Sequence, residues 1–237
     1  MKLENTTVFV TGANRGIGHA IVEALLKQGV KKVYAGARKI QDIKFNDARV
    51  VPVALDITNR EDILSAAAQA RDTQVLINNA GVLAFASVVT GDPKDLMSDM
   101  QVNYFGTLSM VHTFAPILEK NGGGAIANVS SIVGLAPMAG IGGYSASKAA
   151  LHSATQAMRK ELKDKKISVH GVYPGPIDTD MSKGFDMPKT SAAETASNIL
   201  AGIASGKEEI FPDAMSIQLG AVYSADPKAL EKQFASM

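Results

Sequence analysis

The chain has 237 residues, 46% of them hydrophobic, and 24 basic against 23 acidic side chains leave a formal net charge of +1. This fits one domain with a substantial core and offers no basic block of the kind nucleic-acid binders carry. There is no cysteine, which excludes disulfides, thiolate nucleophiles and thiolate metal sites.

The first seven residues, Met-Lys-Leu-Glu-Asn-Thr-Thr, contain no apolar signal core and lead straight into a strand pattern, so a cytoplasmic chain is expected. Thr7 to Thr11 reads as the first strand. Ile17, Ala20, Ile21, Ala24 and Leu25 follow at spacings of three and four, predicting an amphipathic helix that ends at Gly29. Lys32 to Gly36 is the second strand and Arg49 to Leu55 the third, with only a short crossover between them. Thr58 and Glu61 form a capping-box pattern that opens a helix to Ala70. Gln74 to Asn78 is strand four.

Asp92 followed by Pro93 predicts a capped helix start, and the helix continues to about Glu119. Ala125 to Ser130 reads as a central strand. The least polar stretch, Gly122 to Tyr144, is broken by Asn128, Ser130, Ser131, Pro137 and many glycines, so no membrane-spanning helix is expected. A long helix starts at or just before Tyr144 and runs to about Asp164. Ser168 to Tyr173 returns as a buried strand, Ser191 with Glu194 caps a helix to about Ala204, and a last strand lies near Glu209 to Phe211. Residues 226–234 predict a peripheral helix. The expected fold is therefore a single doubly wound α/β domain, a parallel sheet with helices on both faces, with a substrate loop near 182–190 and a peripheral C-terminal segment, 213–237.

Such a sheet binds ligands at the carboxyl ends of its strands, where Thr11, Arg38, Asp56, Asn79, Ser131 and Pro174 all fall. Gly12, Gly16 and Gly18 between the first strand and its helix permit a tight turn whose amides can approach a pyrophosphate. A carboxylate for a ribose 2′-hydroxyl is missing after the second strand, where Ala37 is followed by Arg38. With Arg15, Arg38 suits the 2′-phosphate of NADP, although solvated arginines would give the same pattern. Asn79, Ala80 and Gly81 suit either a close approach to a ribose or a lock on the central sheet. Of the adjacent Ser130 and Ser131, only one can face a cofactor. The four histidines show no ligand spacing, and no metal is expected.

Tyr144 and Lys148 are one helical turn apart, so the lysine ammonium can approach the phenol and favour its phenolate. Lowering a phenol pKa by ~3 units takes about 4 kcal/mol, more than one exposed ammonium supplies. A second positive source is needed, and an oxidised nicotinamide ring would be one.

Taken together these motifs resemble the short-chain dehydrogenase/reductase family. Thr11-Gly-Ala-Asn-Arg-Gly-Ile-Gly18, which includes Asn14 and Ile17, resembles its glycine turn; Leu55-Asp56-Ile57 resembles its adenine-contact segment, and Asn78-Asn-Ala-Gly81 its N-N-A-G. Asn103, Ser131, Tyr144 and Lys148 resemble its catalytic tetrad, the thirteen-residue spacing to Tyr144 selecting Ser131 over Ser130. Pro174, Gly175, Ile177 and Thr179 resemble its nicotinamide-side loop. The resemblance implies a nicotinamide dinucleotide as cofactor, NADP(H) being the form that Arg38 and Arg15 suit, with Ser131 and Tyr144 binding a carbonyl and Tyr144 giving the proton. Lys148 would lower the phenol pKa and bind the nicotinamide ribose, and Asn103 would hold a relay water.

The family's C-terminal V-D-G-G segment, used in tetramers, is missing here. A homo-oligomer, dimer or tetramer, is implied, with the helices near 93–119 and 145–164 as the common interface. Val133, Met138, Ile141, Met181, Phe185 and Met187 offer an apolar wall for a small-molecule carbonyl or alcohol substrate, a hydrophobic ketone or aldehyde being expected. A 3-oxoacyl thioester reductase and a non-catalytic dinucleotide sensor are the rival functions.

Overall fold

Val8, Phe9 and Val10, in the middle of β1 (Thr7–Thr11), have no exposed surface, as befits a strand paired on both edges and covered on both faces. In the computed structural model, which describes residues 1–236, β2 (Lys32–Ala37) and β4 (Val75–Asn78) flank it in parallel, with Phe9 opposite Tyr34 on one side and Leu76 on the other. β3 (Val50–Ala54), β5 (Gly124–Val129) and β6 (Ile167–Val172) extend the sheet. Beyond them β7 (Ile177–Asp178) and β8 (Thr190–Ser191) form a small separate pair, and β9 (Glu209–Ile210) closes the large sheet. The order of its seven strands is β3-β2-β1-β4-β5-β6-β9, all parallel, so the winding reverses between β1 and β4. That is the doubly wound fold expected from the sequence.

Alternate side chains of each strand go to opposite layers. Val8 and Val10 join α1 (Gly16–Lys27) and α6 (Ala192–Ala204) through Ile21, Leu25, Ile199 and Ile203. Phe9 faces the other way, towards α2 (Arg60–Gln69), α4 (Thr107–Lys120) and α5 (Gly142–Leu162), with its ring 4.9 Å from Phe114. Between β2 and β3 there is only a single helical turn, Ile40–Asp42, as the short crossover predicts.

Three details differ from expectation. α2 is capped by Asn59, whose side chain accepts from the amides of Glu61 and Asp62, and not by Thr58. Thr58 is engaged elsewhere: its amide and hydroxyl both donate to Asp56, at 2.9 and 2.7 Å. The long helix starts at Pro93 under an Asp92 cap as predicted, but α3 (Pro93–Met100) and α4 are joined through a wider π turn, Gln101–Gly106. A π turn adds a residue to the helical circuit, and Asn103, in the middle of it, is fully buried.

Of the C-terminal segment expected at the periphery, 213–237, residues 213–236 pack into the molecule; Met237 lies outside the described residues. α7 (Ala214–Ala225) and α8 (Pro227–Ala235) each start from an aspartate cap, Asp213 and Asp226. Leu230 and Phe234, one turn apart on α8, are 0% and 3% exposed and join Ile132, Val133, Ile141 and Leu219 in a third core cluster. Burial of that apolar stripe, invisible in composition alone, brings the segment to the mouth of the site.

Candidate active site

A cleft of about 1060 Å³ opens at the carboxyl ends of β1 to β6, where the winding reverses. One end is built by the glycine turn. Gly12 and Gly16 have φ of +64° and +54°, and a Cβ on Gly12 would come within 2.9 Å of the Ala80 backbone. Gly12, Asn14, Arg15, Gly16 and Ile17 line the cleft, whereas Gly18 does not. Gly18 lies buried behind the turn, where a Cβ would collide with the Gly12 carbonyl and the Asn79 amide.

Asn79 fastens this turn to the end of β4. Its side-chain amide donates to the carbonyls of Thr11 and Gly12 at 3.0 and 3.2 Å, and the Thr11 hydroxyl accepts from the amides of Asn79 and Ala80, both at 2.9 Å. Of its two readings, the lock on the central sheet is the one its side chain performs, while Asn79, Ala80 and Gly81 still line the cleft. Arg38, exposed just past β2, stands on the rim with Asp56 and Ile57.

At the inner end Ser131, Tyr144 and Lys148 line the same cavity. Ser131 caps a short turn after β5, Ile132–Gly134. Ser130 also borders the cleft, but its hydroxyl is taken up by the Lys148 carbonyl, to which it donates at 2.9 Å, fixing β5 against α5. α5 begins two residues before Tyr144, so the tyrosine occupies its first turn and Lys148 its second. Lys148 is 3% exposed, and its Nζ donates to the Val129 carbonyl at 2.8 Å, lying 5.5 Å from the Tyr144 ring centroid.

Asn103 does not line the cleft. Its side chain accepts from the Val82 amide and donates to the Val82 carbonyl, both at 2.9 Å, and also donates to Ser147 at 3.0 Å. The residue pins the loop after β4 to α5, which fixes the wall behind Lys148. Pro174, Gly175, Ile177 and Thr179 line the opposite side, with the Gly175 amide held by buried Asp213 at 2.8 Å. The Thr179 hydroxyl donates within its own loop, to Ile177 at 3.3 Å, and its methyl sits 3.2 Å from where a Gly16 Cβ would be.

The apolar wall contains all six residues expected from the sequence, and Leu83, Met215, Leu219 and Phe234 besides. The last three were missed because they come from the two C-terminal helices; the Asp213-x-x-Ser216 cap with apolar Met215 and Leu219 one turn apart was the available signal. Among the described residues no group of three or more His, Asp or Glu could hold a metal, and no helix is long and apolar enough to cross a membrane.

The family model for short chain dehydrogenases matches residues 6–189. The chain belongs to the short-chain dehydrogenase family. An uncharacterized oxidoreductase of Staphylococcus saprophyticus is 33% identical over 199 residues, covering 78% of this chain and 84% of that protein. The oxidoreductase BOA17 of Botryotinia fuckeliana is 33% identical over 195 residues, covering 78% and 70%. A short chain dehydrogenase from Burkholderia cenocepacia, solved in complex with NADP, is 42% identical over 99% of both chains with a TM-score of 0.94. A Burkholderia phymatum relative in complex with NAD, at 20% identity and a TM-score of 0.84, shares the fold.

Burial pushes the Tyr144 phenol up to about 12; the Ser131 hydroxyl pulls it back and the Asp99 carboxylate adds to the rise. The acidification expected from Lys148 is not supplied by the packing of the protein itself. The amine is instead brought down to about 8, because burial disfavours its charge more than Asp99 supports it. The folded-state value lies below the usual 10.5 of an exposed lysine, so the charged amine opposes folding fully below pH 8 and progressively less between pH 8 and 10.5. Lys148→Met should therefore raise the melting temperature at pH 7, with the gain shrinking as pH climbs from 8 towards 10.5. Calorimetry across that range checks the sign.

Proposed function

We propose that the protein is an NADP(H)-dependent carbonyl reductase, acting in reverse as an alcohol dehydrogenase, on hydrophobic ketones or aldehydes. The observation that carries this is one continuous cleft, with a glycine cradle and two arginines at one end and Ser131, Tyr144 and Lys148 at the other, beneath an apolar wall. The cradle fits a pyrophosphate: its glycines leave backbone room that any side chain would fill, at the N-terminus of α1. Gly12, Asn14, Arg15, Gly16 and Ile17 would hold the phosphates, Asp56 and Ile57 the adenine side, and Pro174, Gly175, Ile177 and Thr179 the nicotinamide side. When bound, the reduced dinucleotide supplies the hydride.

The chain's own residues do the rest. Ser131 donates a hydrogen bond to the substrate carbonyl oxygen, and Tyr144 gives its phenolic proton to that oxygen as negative charge develops there. A phenol held protonated well above neutral pH suits this donor role. Lys148, hooked to the Val129 carbonyl, stands beside the ring to orient ribose hydroxyls. Met138, Met181, Phe185, Leu219 and Phe234 offer adaptable apolar surface and no cation, which favours a neutral, oily substrate over a phosphate-bearing thioester arm. Phe185 also packs on Phe85 across the mouth, ring centroids 5.8 Å apart.

Pairing of two copies through α4 and α5 belongs to the same reading, supported by the groove these helices leave on their outer face between Leu108, His112, Ala154 and Ala157. The reaction is tested by following NADPH absorbance with panels of aryl ketones, aliphatic ketones and acetoacetyl thioesters. Turnover of the hydrophobic ketones is expected. Exclusive turnover of thioesters, or NADPH binding with no turnover at all, would replace this reading with one of its rivals.

A further inference from the structure

Asp99 is fully buried on α3, one turn before Asn103, in the wall behind the reacting groups. Oδ1 accepts the Ala84 amide at 3.0 Å, which ties the loop after β4 to this helix. Oδ2 is buried and has no hydrogen-bond partner among the described residues. A buried carboxyl oxygen left bare is costly, so its retention calls for a reason beyond holding one loop amide. The direction it faces supplies one. A methyl group on Gly143 would lie 3.4 Å from Oδ2, so the free oxygen abuts the first turn of α5, one residue before Tyr144. The positive end of that helix favours an anion there.

The charged and titratable neighbours are few. From α5 they are Tyr144 and Lys148, both of which feel the Asp99 charge. From its own helix there is only exposed Asp95, and the loop 79–91 contributes no ionisable side chain. Burial raises the Asp99 carboxyl above its ordinary range, while the Ala84 amide and Lys148 pull it back. In the alkaline range where a phenol titrates, a carboxyl group is ionised.

Taking Tyr144 as the proton donor, as above, we propose that Asp99 is a positioning residue whose buried negative charge keeps that phenol in its donor form, favouring carbonyl reduction over alcohol oxidation at a given pH. The sign follows from the chemistry. Reduction needs the protonated phenol and fades as pH rises through its titration, whereas oxidation needs the phenolate and gains there. Removing a nearby anion makes both the phenol and the Lys148 ammonium more acidic.

The test compares wild type, Asp99→Asn, Asp99→Ser and the surface control Asp95→Asn in NADPH-dependent reduction of an aryl ketone across pH. The alkaline limb should move down by about one pH unit in both Asp99 variants and stay in place in the control. Oxidation of the product alcohol should rise at correspondingly lower pH. Independently of turnover, carbon-labelled lysine followed by NMR, with Lys148→Met to assign the signal, should show the Lys148 midpoint falling by about one unit. An unmoved limb and midpoint in a folded Asp99 variant would reduce Asp99 to a fastener for Ala84 and overturn the proposal alone. Failure of both variants to fold would do the same. A wild type without reduction of any ketone would instead bring down the donor role of Tyr144, and this proposal with it.

Discussion

Replacing Tyr144 with phenylalanine is expected to lower kcat for ketone reduction by at least about a thousandfold while leaving the NADPH dissociation constant within about twofold. Among the side chains at the inner end of the cleft, Ser131 has a weakly acidic hydroxyl and Lys148 is tethered to Val129, so the proposed reaction assigns the proton to the Tyr144 phenol that lines the cavity. Phenylalanine keeps the ring against its neighbours and removes only that proton. The glycine turn is fastened by Thr11 and Asn79, on a different strand pair, and has no contact with the tyrosine hydroxyl to lose. Steady-state kinetics with fluorescence titration of NADPH checks both halves. Residual reduction within tenfold of wild type would remove Tyr144 from the chemistry, and a large loss of NADPH affinity would recast it as a binding residue.

Reversing the charge at Arg38 is expected to lower the NADP to NAD ratio of kcat/KM by about a hundredfold or more. A charge-assisted bond to a phosphate is worth about 1.5–3 kcal/mol, and an aspartate in its place adds repulsion against the same group. Arg38 is exposed on the rim past β2, close enough to Asp56 to help hold that carboxyl below its ordinary range, but among the described residues it forms no ion pair within 4 Å. Asp56, the nearby carboxylate that could have bound a ribose hydroxyl, is occupied by Thr58. Arg15, the second cation, pairs with Asp180 at 3.7 Å, but both side chains are more than half exposed, so the pair is weak and the guanidinium is readily redirected. Arg38→Asp should thus convert an NADP preference into one for NAD. An unchanged ratio would leave the cofactor preference without a physical basis at this position.

Much of this is legible in the amino-acid sequence. Continuous apolar runs located the strands because the middle of a strand covered on both faces has little freedom to be polar, as Val8, Phe9 and Val10 and Val75, Leu76 and Ile77 illustrate, the polar Thr7, Thr11 and Asn78 standing at strand ends. The glycine turn and the spacing of Tyr144 and Lys148 are local geometry, so the chain states them directly. Asn59 and Thr58 are both competent caps, and the choice between them turned on Asp56, which claims the threonine. The rest depended on distant parts of the chain. Nothing in Asp-Leu-Met-Ser-Asp marks Asp99 as buried and Asp95 as exposed until α5 is laid against one of them. Asn103 looked like a cleft residue because its neighbours in the motif are, yet the π turn carries it inward to Val82. Phe234 returns to the site from ninety residues beyond Tyr144, a contact that only tertiary packing creates.

The reversal of winding between β1 and β4 also separates two tasks in space. On the proposed reading, groups that would distinguish one dinucleotide from another hang from β1, β2 and β3; groups that would handle the proton and the oily partner hang from β4, β5, β6 and the tail. Because the halves share few side chains, changes on one flank should combine with changes on the other almost independently. A redesigner could therefore retune coenzyme choice and substrate scope as separate problems, with Asn79, the bolt across the divide, as the residue to leave untouched.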